Sequence, residues 1–327
     1  MLAARLVRGC RFGVQDSFEM VYKVPPFLKS GDCIGVAATA RWVTQEQLQP
    51  AIDLFTSWGL RVKIASNVHT SRFQLAGTAL ERAAGIQSLI DDDDVQAIII
   101  ARGGYGTVHT IDSIDFTQFL KNPKWIAGYS DITVLHSHLN SRGIATIHST
   151  MPISFPDATP RALENLRKAL FGELVQFEAT EEDAIDEVRG CLVGGNLSVL
   201  YSLIGSESWK VQPNTLLFIE DVDEMLYHLD RMLWGLLRAG MLDGVRAIVC
   251  GGFTQMKDNT TAFGFPSENP WGAHERAIVQ SIAQKLGVPV VFGFPAGHLS
   301  DNCAFFLGRQ AVLQAVNGFP VLHYQQP

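Results

Sequence analysis

The chain has 327 residues, of which 47% are hydrophobic and 18% are charged. This length is comfortable for two domains, and this share of apolar residues is enough to give each domain a core. The formal net charge is -7, and lysine and arginine form no cluster along the chain. The composition therefore excludes a disordered chain and argues against a partner with a phosphate backbone, so we expect no nucleic acid partner.

The first 19 residues carry three arginines, but they contain no continuous apolar stretch and no clear cleavage site. Such a segment lacks the pattern of a secretory signal peptide. No stretch elsewhere reaches the eighteen or so apolar residues that a membrane span requires, so we expect no membrane partner. Residues 1–19 are expected to be either a disordered extension or the product of a start codon assigned too far upstream.

The cysteines are odd in number, far apart and mostly inside apolar stretches. They are Cys10, Cys33, Cys191, Cys250 and Cys303. This pattern predicts buried thiols in a reducing cytoplasm rather than a disulfide framework. No Cys-x-x-Cys pair indicates zinc or redox chemistry.

The first half of the sequence alternates predicted strands with predicted helices. The predicted strands are residues 33–38, 60–64 and 95–100. Thr44 with Gln47, and Thr78 with Glu81, have the spacing of helix capping boxes, but Pro50 predicts that the first regular helix begins only near its own position. This alternation predicts a parallel sheet with helices on both faces.

A glycine-rich segment, residues 101–106, follows the third predicted strand. Such a turn could cradle a phosphate group at a helix N-terminus. However, it has neither the Gly-x-Gly-x-x-Gly spacing of dinucleotide sites nor the lysine of a Walker motif. A nucleotide site is therefore the weaker interpretation of this segment.

A short apolar stretch, residues 124–129, ends at Ser130 and is followed at once by an amphipathic segment. This is the pattern of a nucleophile elbow, in which a serine stands on a sharp turn between a strand and a helix. The backbone N–H of Asp131 would then lie at a helix N-terminus, where it can hold an oxyanion. The helix is predicted by one apolar face and a terminal glycine: Ile132, Leu135, Leu139 and Gly143. Most serines in so short a match are turn residues, so catalysis requires a base and an acid as well.

Two later segments offer candidates for these groups. Residues 214–219 are a predicted buried strand whose apolar residues stop at Glu220, and residues 290–294 are a predicted strand that leads into a Gly-Pro loop presenting His298. The order Ser, Glu, His along the chain is that of hydrolases with this type of triad. Taken singly, Glu220 is as readily a helix-start carboxylate, and His298 as readily a loop residue bonded to a carbonyl.

Three histidines raise the alternative of a metal site. His136 and His138 lie close to His148 in the sequence. On the predicted helix, however, the first two point to different faces, and the chain has no His-Glu-x-x-His motif. We therefore favour a structural role for these histidines and expect no metal.

A connection between two domains is indicated by prolines at 152, 156 and 160, a helical stretch and an acidic cluster at residues 181–183. We expect an N-terminal α/β domain over residues 20–152, a connecting segment over 153–187 and a second domain over 188–327. The second half mixes short predicted strands with two helical patterns, at residues 216–219, 247–250, 224–239 and 271–286.

Five segments, in this order along the chain, resemble the motifs of the LD-carboxypeptidases. They are residues 101–106, 128–133, 192–200, 218–224 and 297–302, and residues 31–38 resemble the family's first strand. This serine peptidase family includes the murein tetrapeptide carboxypeptidases and the microcin C immunity peptidases. The resemblance extends over nearly the whole chain, from about residue 28 to residue 308.

The resemblance implies a nucleophile at Ser130, an orienting acid at Glu220 and a general base at His298. It also implies an oxyanion hole made by the N–H of Asp131 and by a glycine N–H of the 101–106 segment, for which Gly103 and Gly104 are the candidates. The implied fold class is α/β: an N-terminal parallel-sheet, Rossmann-like domain with the nucleophile elbow, and a smaller C-terminal mixed β/α domain that carries the glutamate and the histidine.

The implied activity is hydrolysis of the amide that joins an L-diamino acid to D-alanine in murein tetrapeptides, in cytoplasmic cell-wall recycling. No cofactor is needed, and the resemblance implies a homodimer. Two alternatives stay open. One is a microcin-immunity-type peptidase acting on an aminoacyl-nucleotide analogue, which needs an aromatic platform such as Trp209 or Trp271. The other is a catalytically silent ligand-binding homologue on the same fold.

Overall fold

The computed structural model describes residues 20–173, 176–210, 212–258 and 271–325. The strands are β1 (Cys33–Ala37), β2 (Arg61–Ile64), β3 (Val95–Ile100), β4 (Trp125–Gly128), β5 (Thr146–His148), β6 (Gln176–Glu178), β7 (Val188–Asn196), β8 (Thr215–Val222), β9 (Val245–Thr254), β10 (Val290–Val291), β11 (Phe305–Leu307), β12 (Arg309–Val316) and β13 (Phe319–Tyr324). The expected extension, residues 1–19, lies outside the described residues, as does Cys10.

Seven α-helices accompany these strands in the described part of the chain. They are α1 (Gln45–Ser57), α2 (Ala79–Ile90), α3 (Thr133–Asn140), α4 (Pro160–Phe171), α5 (Leu197–Ser202), α6 (Leu226–Arg238) and α7 (Glu275–Leu286). None of the helices in these ranges is long and apolar enough to cross a membrane. The chain is therefore a mixed α/β protein, as the sequence predicts.

Within the described part of the chain, the first sheet has six strands in the order β11-β5-β4-β3-β1-β2. The strands β1 to β5 pair in parallel, with Val36 beside Ile64 and Ala37 beside Ile100. Their apolar sequences follow from this arrangement, because parallel strands are covered by helices on both faces. The parallel, Rossmann-like sheet predicted for the N-terminal part of the chain is confirmed.

One edge of this sheet comes from the far end of the chain. Strand β11 pairs antiparallel with β5 and places Phe306 beside Ile147. The rings of Phe27, Trp125 and Phe306 then pack together, with centroids 5.3 to 6.2 Å apart. We keep residues 20–152 and 188–327 as a proposed division into domains, but residues 305–307 belong to the first sheet.

The second sheet has seven strands among the described residues, in the order β10-β9-β8-β7-β12-β13-β6. Strands β7 to β10 pair in parallel, whereas β12, β13 and β6 pair antiparallel, which makes this sheet mixed. Strand β6 comes from the proposed connecting segment, so this segment contributes to the second sheet. Strand β8 is central and buried, and it carries Glu220 near its carboxyl end.

The N-termini of the helices show whether the predicted capping boxes form. Both predicted capping boxes are present, and they begin α1 and α2. The expectation that Pro50 delays the first helix is wrong, because α1 begins at Gln45 and contains Pro50. The capping box fixes the first turn. The N–H that Pro50 lacks would have bonded to the carbonyl of Glu46, which lies in that exposed turn.

The cysteines of the described residues are all buried, and none of them forms a disulfide. They are Cys33, Cys191, Cys250 and Cys303. Burial raises the pKa of the Cys33 thiol, and it does the same for Cys303. A raised pKa keeps a thiol protonated and unreactive, so these residues act as small apolar side chains of the core.

Candidate active site

Ser130 stands on a strained turn between β4 and α3. Its φ angle is 63°, in the left-handed region that residues other than glycine rarely adopt. A single 3₁₀ turn, Ser130–Ile132, leads directly into α3. Gly128 has φ 154°, and a Cβ atom there would lie 3.0 Å from the side chain of Ile132. The side chain of Ile132 therefore packs closely against the backbone of Gly128, at the start of the turn. Strain of this kind is typical of functional sites, and the predicted elbow is present.

Three side chains from three separate segments form a hydrogen-bonded chain. His298 Nε2 lies 3.1 Å from Ser130 Oγ, and His298 Nδ1 lies 2.7 Å from Glu220 Oε2. A carboxylate only accepts hydrogen bonds, so Nδ1 carries a proton and donates it to Glu220. The unprotonated Nε2 of the neutral ring is then free to accept the proton of Ser130. The structure thus brings together all three residues that the sequence singles out as nucleophile, acid and base.

The loop before His298 can approach Glu220 only because residue 297 is glycine. Gly297 has φ 110°, and a Cβ atom there would lie 2.8 Å from Glu220 Oε2. Its N–H donates to Asn302 Oδ1 at 2.8 Å, and the N–H of His298 donates to Glu220 Oε2 at 3.3 Å. Asn302 also accepts a hydrogen bond from Thr150 through its backbone carbonyl. The loop is therefore fixed from both sides, and the imidazole has one orientation.

Burial and neighbouring charges shift the pKa values of the groups in the site. The side chain of Glu220 is 0% exposed and that of His298 is 20% exposed. Burial alone would lower the pKa of His298, but the hydrogen bond and charge of Glu220, with the charge of Asp221, outweigh it and raise this pKa above its usual 6.5. Burial, followed by the charge of Glu220, raises the pKa of Asp221 to about 7. Asp221 accepts hydrogen bonds from Asn196 Nδ2 and from the N–H of Ser198, so it holds the start of α5 beside the site.

The glycine-rich segment that follows β3 lies against the serine. A Cβ atom on Gly103 would lie 3.5 Å from Ser130 Oγ, whereas one on Gly104 would lie 2.6 Å from the side chain of Arg41. Of the two glycines named for the oxyanion hole, Gly103 therefore packs on Ser130. The other candidate donor, the N–H of Asp131, lies in the first turn of a helical segment, where N–H groups have no intrahelical partner.

Two buried side chains hold this segment in place, and one of them has no local signal in the sequence. The carboxylate of Asp131 accepts a hydrogen bond from the N–H of Thr107 at 2.9 Å, and burial raises the pKa of this carboxyl group. Arg82 is buried and donates to the carbonyls of Thr39, Gly77 and Gly106. Arg82 was missed because it is a single charged residue on a helix, a position that is usually exposed.

The histidines of the metal alternative have separate partners. His136 Nε2 lies 2.9 Å from the carbonyl of Gly128, and His138 Nδ1 lies 2.9 Å from Ser208 Oγ. Burial lowers the pKa of both rings to about 4, so they are neutral. His148 lies in β5, and its ring packs on Phe218. Within residues 20–173, 176–210, 212–258 and 271–325, no three His, Cys, Asp or Glu side chains are grouped so that they could hold a metal ion.

Comparison with known protein families shows to which family the chain belongs. Residues 34–149 match the model of the LD-carboxypeptidase N-terminal domain, and residues 189–313 match that of the C-terminal domain. The chain belongs to the LD-carboxypeptidase family. It is thus a serine-type peptidase, and the resemblance expected from the five sequence motifs is confirmed.

Curated relatives and solved structures agree with this family. The chain is 33% identical to a probable murein peptide carboxypeptidase of Bacillus subtilis, over 93% of this chain and 95% of that protein. It is 27% identical to the murein tetrapeptide carboxypeptidase of Pseudomonas aeruginosa, over 86% of this chain and 92% of that protein. The crystal structure of muramoyltetrapeptide carboxypeptidase from Oxalobacter formigenes matches with a TM-score of 0.80 at 27% identity, over 90% of this chain and 99% of that one.

A second group of solved structures shares the fold alone. The microcin C7 self immunity protein MccF, in complex with glutamyl sulfamoyl guanosine, matches with a TM-score of 0.79 at 20% identity, over 92% of this chain and 98% of that one. Trp209 is one of the two residues considered for the aromatic platform of such an enzyme. This residue borders a small cavity with Asn140 and Ser141, at the end of α3 that lies about 12 Å from the Ser130 end.

Proposed function

We propose that this protein is a serine carboxypeptidase that removes D-alanine from murein tetrapeptides. The scissile bond is the amide between the L-centre of a diamino acid and D-alanine. The observation that carries the proposal is the hydrogen-bonded chain Ser130, His298 and Glu220 at a strained turn. The names of the relatives from Bacillus subtilis and Pseudomonas aeruginosa supply the substrate class.

The proposed mechanism is acyl transfer to serine. His298 Nε2 takes the proton of Ser130 Oγ, and the oxygen attacks the amide carbonyl. The N–H groups of Asp131 and Gly103, with Gly104 as the alternative glycine, hold the resulting oxyanion. His298 then protonates the leaving nitrogen of D-alanine, and water releases the acyl group by the same steps in reverse order. Glu220 keeps the proton on Nδ1 and stabilises the imidazolium that forms in each half of the reaction.

In this scheme Ser130, His298, the attacking water and the substrate carry every proton, so the proposed mechanism has no step for a metal ion or an organic cofactor. We place the activity in cytoplasmic cell-wall recycling and propose a homodimer, as the family resemblance implies. Light scattering of the purified chain tests the homodimer, and a mass equal to one chain at all concentrations would contradict it.

The test of the function is release of D-alanine from a murein tetrapeptide, detected by mass spectrometry. The wild-type protein should release D-alanine, and Ser130→Ala, which keeps the backbone but lacks the hydroxyl group, should not. A peptide that ends in L-alanine should stay intact, because the proposed bond joins an L-centre to a D-residue. Equal rates on the two peptides would refute the stereochemistry of the proposal.

The same assay separates the alternatives. An aminoacyl-sulfamoyl nucleoside that is cleaved faster than the tetrapeptide would assign the chain to the microcin-immunity type. No cleavage of either compound, together with tight binding of one of them, would identify a catalytically silent homologue. The intact hydrogen bonds that join His298 to Ser130 and to Glu220 argue against a silent homologue, because a site that only binds has no use for this alignment.

A further inference from the structure

Two arginines near Ser130 have no acidic partner among the described residues. Arg41 follows β1 and Arg102 follows β3, and these two strands are neighbours in the first sheet. Within the described residues, neither guanidinium group forms a hydrogen bond or an ion pair, and the Nε atom of Arg41 is fully buried. Elsewhere in the same structure, arginines do pair with carboxylates, as Arg61 does with Asp94 at 2.8 Å and Arg167 with Glu164 at 2.8 Å.

Two consecutive glycines lie next to both arginines and to the serine. Gly103 follows Arg102 directly, and a Cβ atom on it would lie 3.5 Å from Ser130 Oγ. Gly104 is next, and a Cβ atom on it would lie 2.6 Å from Cδ and Nε of Arg41. The absence of a side chain at residue 104 therefore lets Arg41 lie across the glycine segment beside the nucleophile.

The position of this pair is electrostatically unfavourable without an anion. Both side chains are partly buried. Burial, followed by the nearby charge of Arg41, lowers the pKa of Arg102. A guanidinium group that is partly removed from water and has no carboxylate partner is stabilised when an anion binds to it. The planar donor groups of arginine suit a carboxylate, because each can form two parallel hydrogen bonds with it.

We propose that Arg41 and Arg102 bind the free carboxylate at the C-terminus of the substrate. This inference rests on the proposed function, and it explains how the same site selects the last residue of a peptide. In a carboxypeptidase substrate, three bonds separate the scissile carbonyl carbon from the carboxylate carbon, so the two lie within about 4 Å of each other. An anion site next to the nucleophile is therefore where this carboxylate must be bound.

The test measures binding rather than turnover. Calorimetry on Ser130→Ala compares a murein tetrapeptide with a free C-terminal carboxylate and the same peptide with a C-terminal amide. The acid should bind more tightly than the amide. Adding Arg41→Ala or Arg102→Ala should weaken binding of the acid about 10- to 100-fold, the range for a lost hydrogen bond to a charged group, and should leave binding of the amide unchanged. Arg41→Lys and Arg102→Lys, which keep the charge, should lose less.

The matched control is Arg246→Ala. Arg246 is an exposed arginine near the start of β9, and its loss should change neither affinity. Thermal melting of each variant confirms that it is folded. The inference is overturned if the alanine variants bind the acid as tightly as their parent, if they weaken acid and amide equally, or if neither peptide binds to the parent.

The outcomes also separate this inference from the proposed function. If the wild-type protein releases D-alanine and Ser130→Ala does not, while the arginine variants keep the preference for the acid, then the inference is wrong and the function stands. If D-alanine is never released, but the acid binds better than the amide through the two arginines, then the carboxylate site stands and the peptidase proposal is wrong. Arginine variants that weaken only an aminoacyl-sulfamoyl nucleoside would overturn the inference in favour of that ligand.

Discussion

The substitution Glu220→Gln tests the electrostatic role of the buried carboxylate. It keeps the size of the side chain and removes its charge, beside an imidazole whose Nδ1 lies 2.7 Å from Oε2. A glutamine can also donate a hydrogen bond to Nδ1, which would place the ring proton on Nε2 and leave no acceptor for the proton of Ser130. Both effects lower the rate of acylation.

The magnitude follows from the geometry of the pair. The imidazolium that forms in the transition state and the carboxylate have charge centres about 4 Å apart, and at an effective dielectric constant of about 20 their attraction is about 4 kcal/mol. Loss of this attraction lowers kcat/KM about a thousandfold, since each 1.36 kcal/mol corresponds to roughly a factor of ten. Because Glu220 is fully buried, salt should screen the effect very little.

The pH profile gives an independent signature. His298 must be neutral to accept the proton of Ser130, so activity is lost as the pH falls through its pKa. In the wild-type protein this pKa is raised above 6.5. In Glu220→Gln the hydrogen bond and charge of Glu220, the larger causes of the rise, are gone, and only the smaller effect of Asp221 opposes burial. The pKa of His298 therefore falls, and the residual activity should extend to lower pH than in the wild-type protein.

The assay is the pH dependence of kcat/KM for D-alanine release by the wild-type protein and by Glu220→Gln. Asp223→Asn is the control, because Asp223 is an exposed carboxylate close to Glu220 in the sequence, and its loss should change kcat/KM less than twofold. A Glu220→Gln variant that loses less than tenfold, or whose acidic limb stays at the wild-type pH, would refute the electrostatic reasoning.

Three further predictions concern the turn, the loop and the absence of a metal step. Relief of the φ angle of 63° in Ser130→Gly should make this variant about 1 kcal/mol more stable than Ser130→Ala, or about 2 °C in Tm, with both inactive; equal melting temperatures would argue against a strained turn. Gly297→Ala should lower kcat at least about a hundredfold, because its Cβ atom would lie 2.8 Å from Glu220 Oε2, whereas Gly318→Ala, with φ 89° but open space around it, should lose stability and keep full activity. Dialysis against EDTA should leave kcat/KM unchanged, and loss of activity that zinc restores would favour the metal alternative at His136, His138 and His148.

The sequence is sufficient for those features that local chemistry determines. Strand β3 has the predicted bounds, 95 and 100, because six apolar or amide residues follow an acidic turn. The turn at Ser130 is predictable because an apolar strand must end where an amphipathic helix begins. The two capping boxes are predictable because each depends on side chains only three residues apart.

Other features depend on contacts that no local pattern contains. Strand β11 has three residues and joins the first sheet from the far end of the chain, and nothing near residue 305 specifies β5 as its partner. The role of Arg82 is equally non-local, because its guanidinium group donates to the carbonyls of Thr39 and Gly106, which lie 43 and 24 positions away. The ends of predicted strands and the Gly-Pro loop offered the members of the candidate triad singly, and the family motifs joined them, since the hydrogen bond between Ser130 and His298 spans 168 positions.

The central claim is that Ser130 is a nucleophile activated by His298, and covalent labelling tests it most directly. The wild-type protein, Ser130→Ala and His298→Ala are each treated with a fluorophosphonate, digested and mapped by mass spectrometry. The proposed mechanism predicts one adduct on Ser130 in the wild-type protein, none at this position in Ser130→Ala, and labelling at least about a hundredfold slower in His298→Ala. An unlabelled Ser130 in a folded protein that still releases D-alanine, or labelling that does not depend on His298, would contradict it.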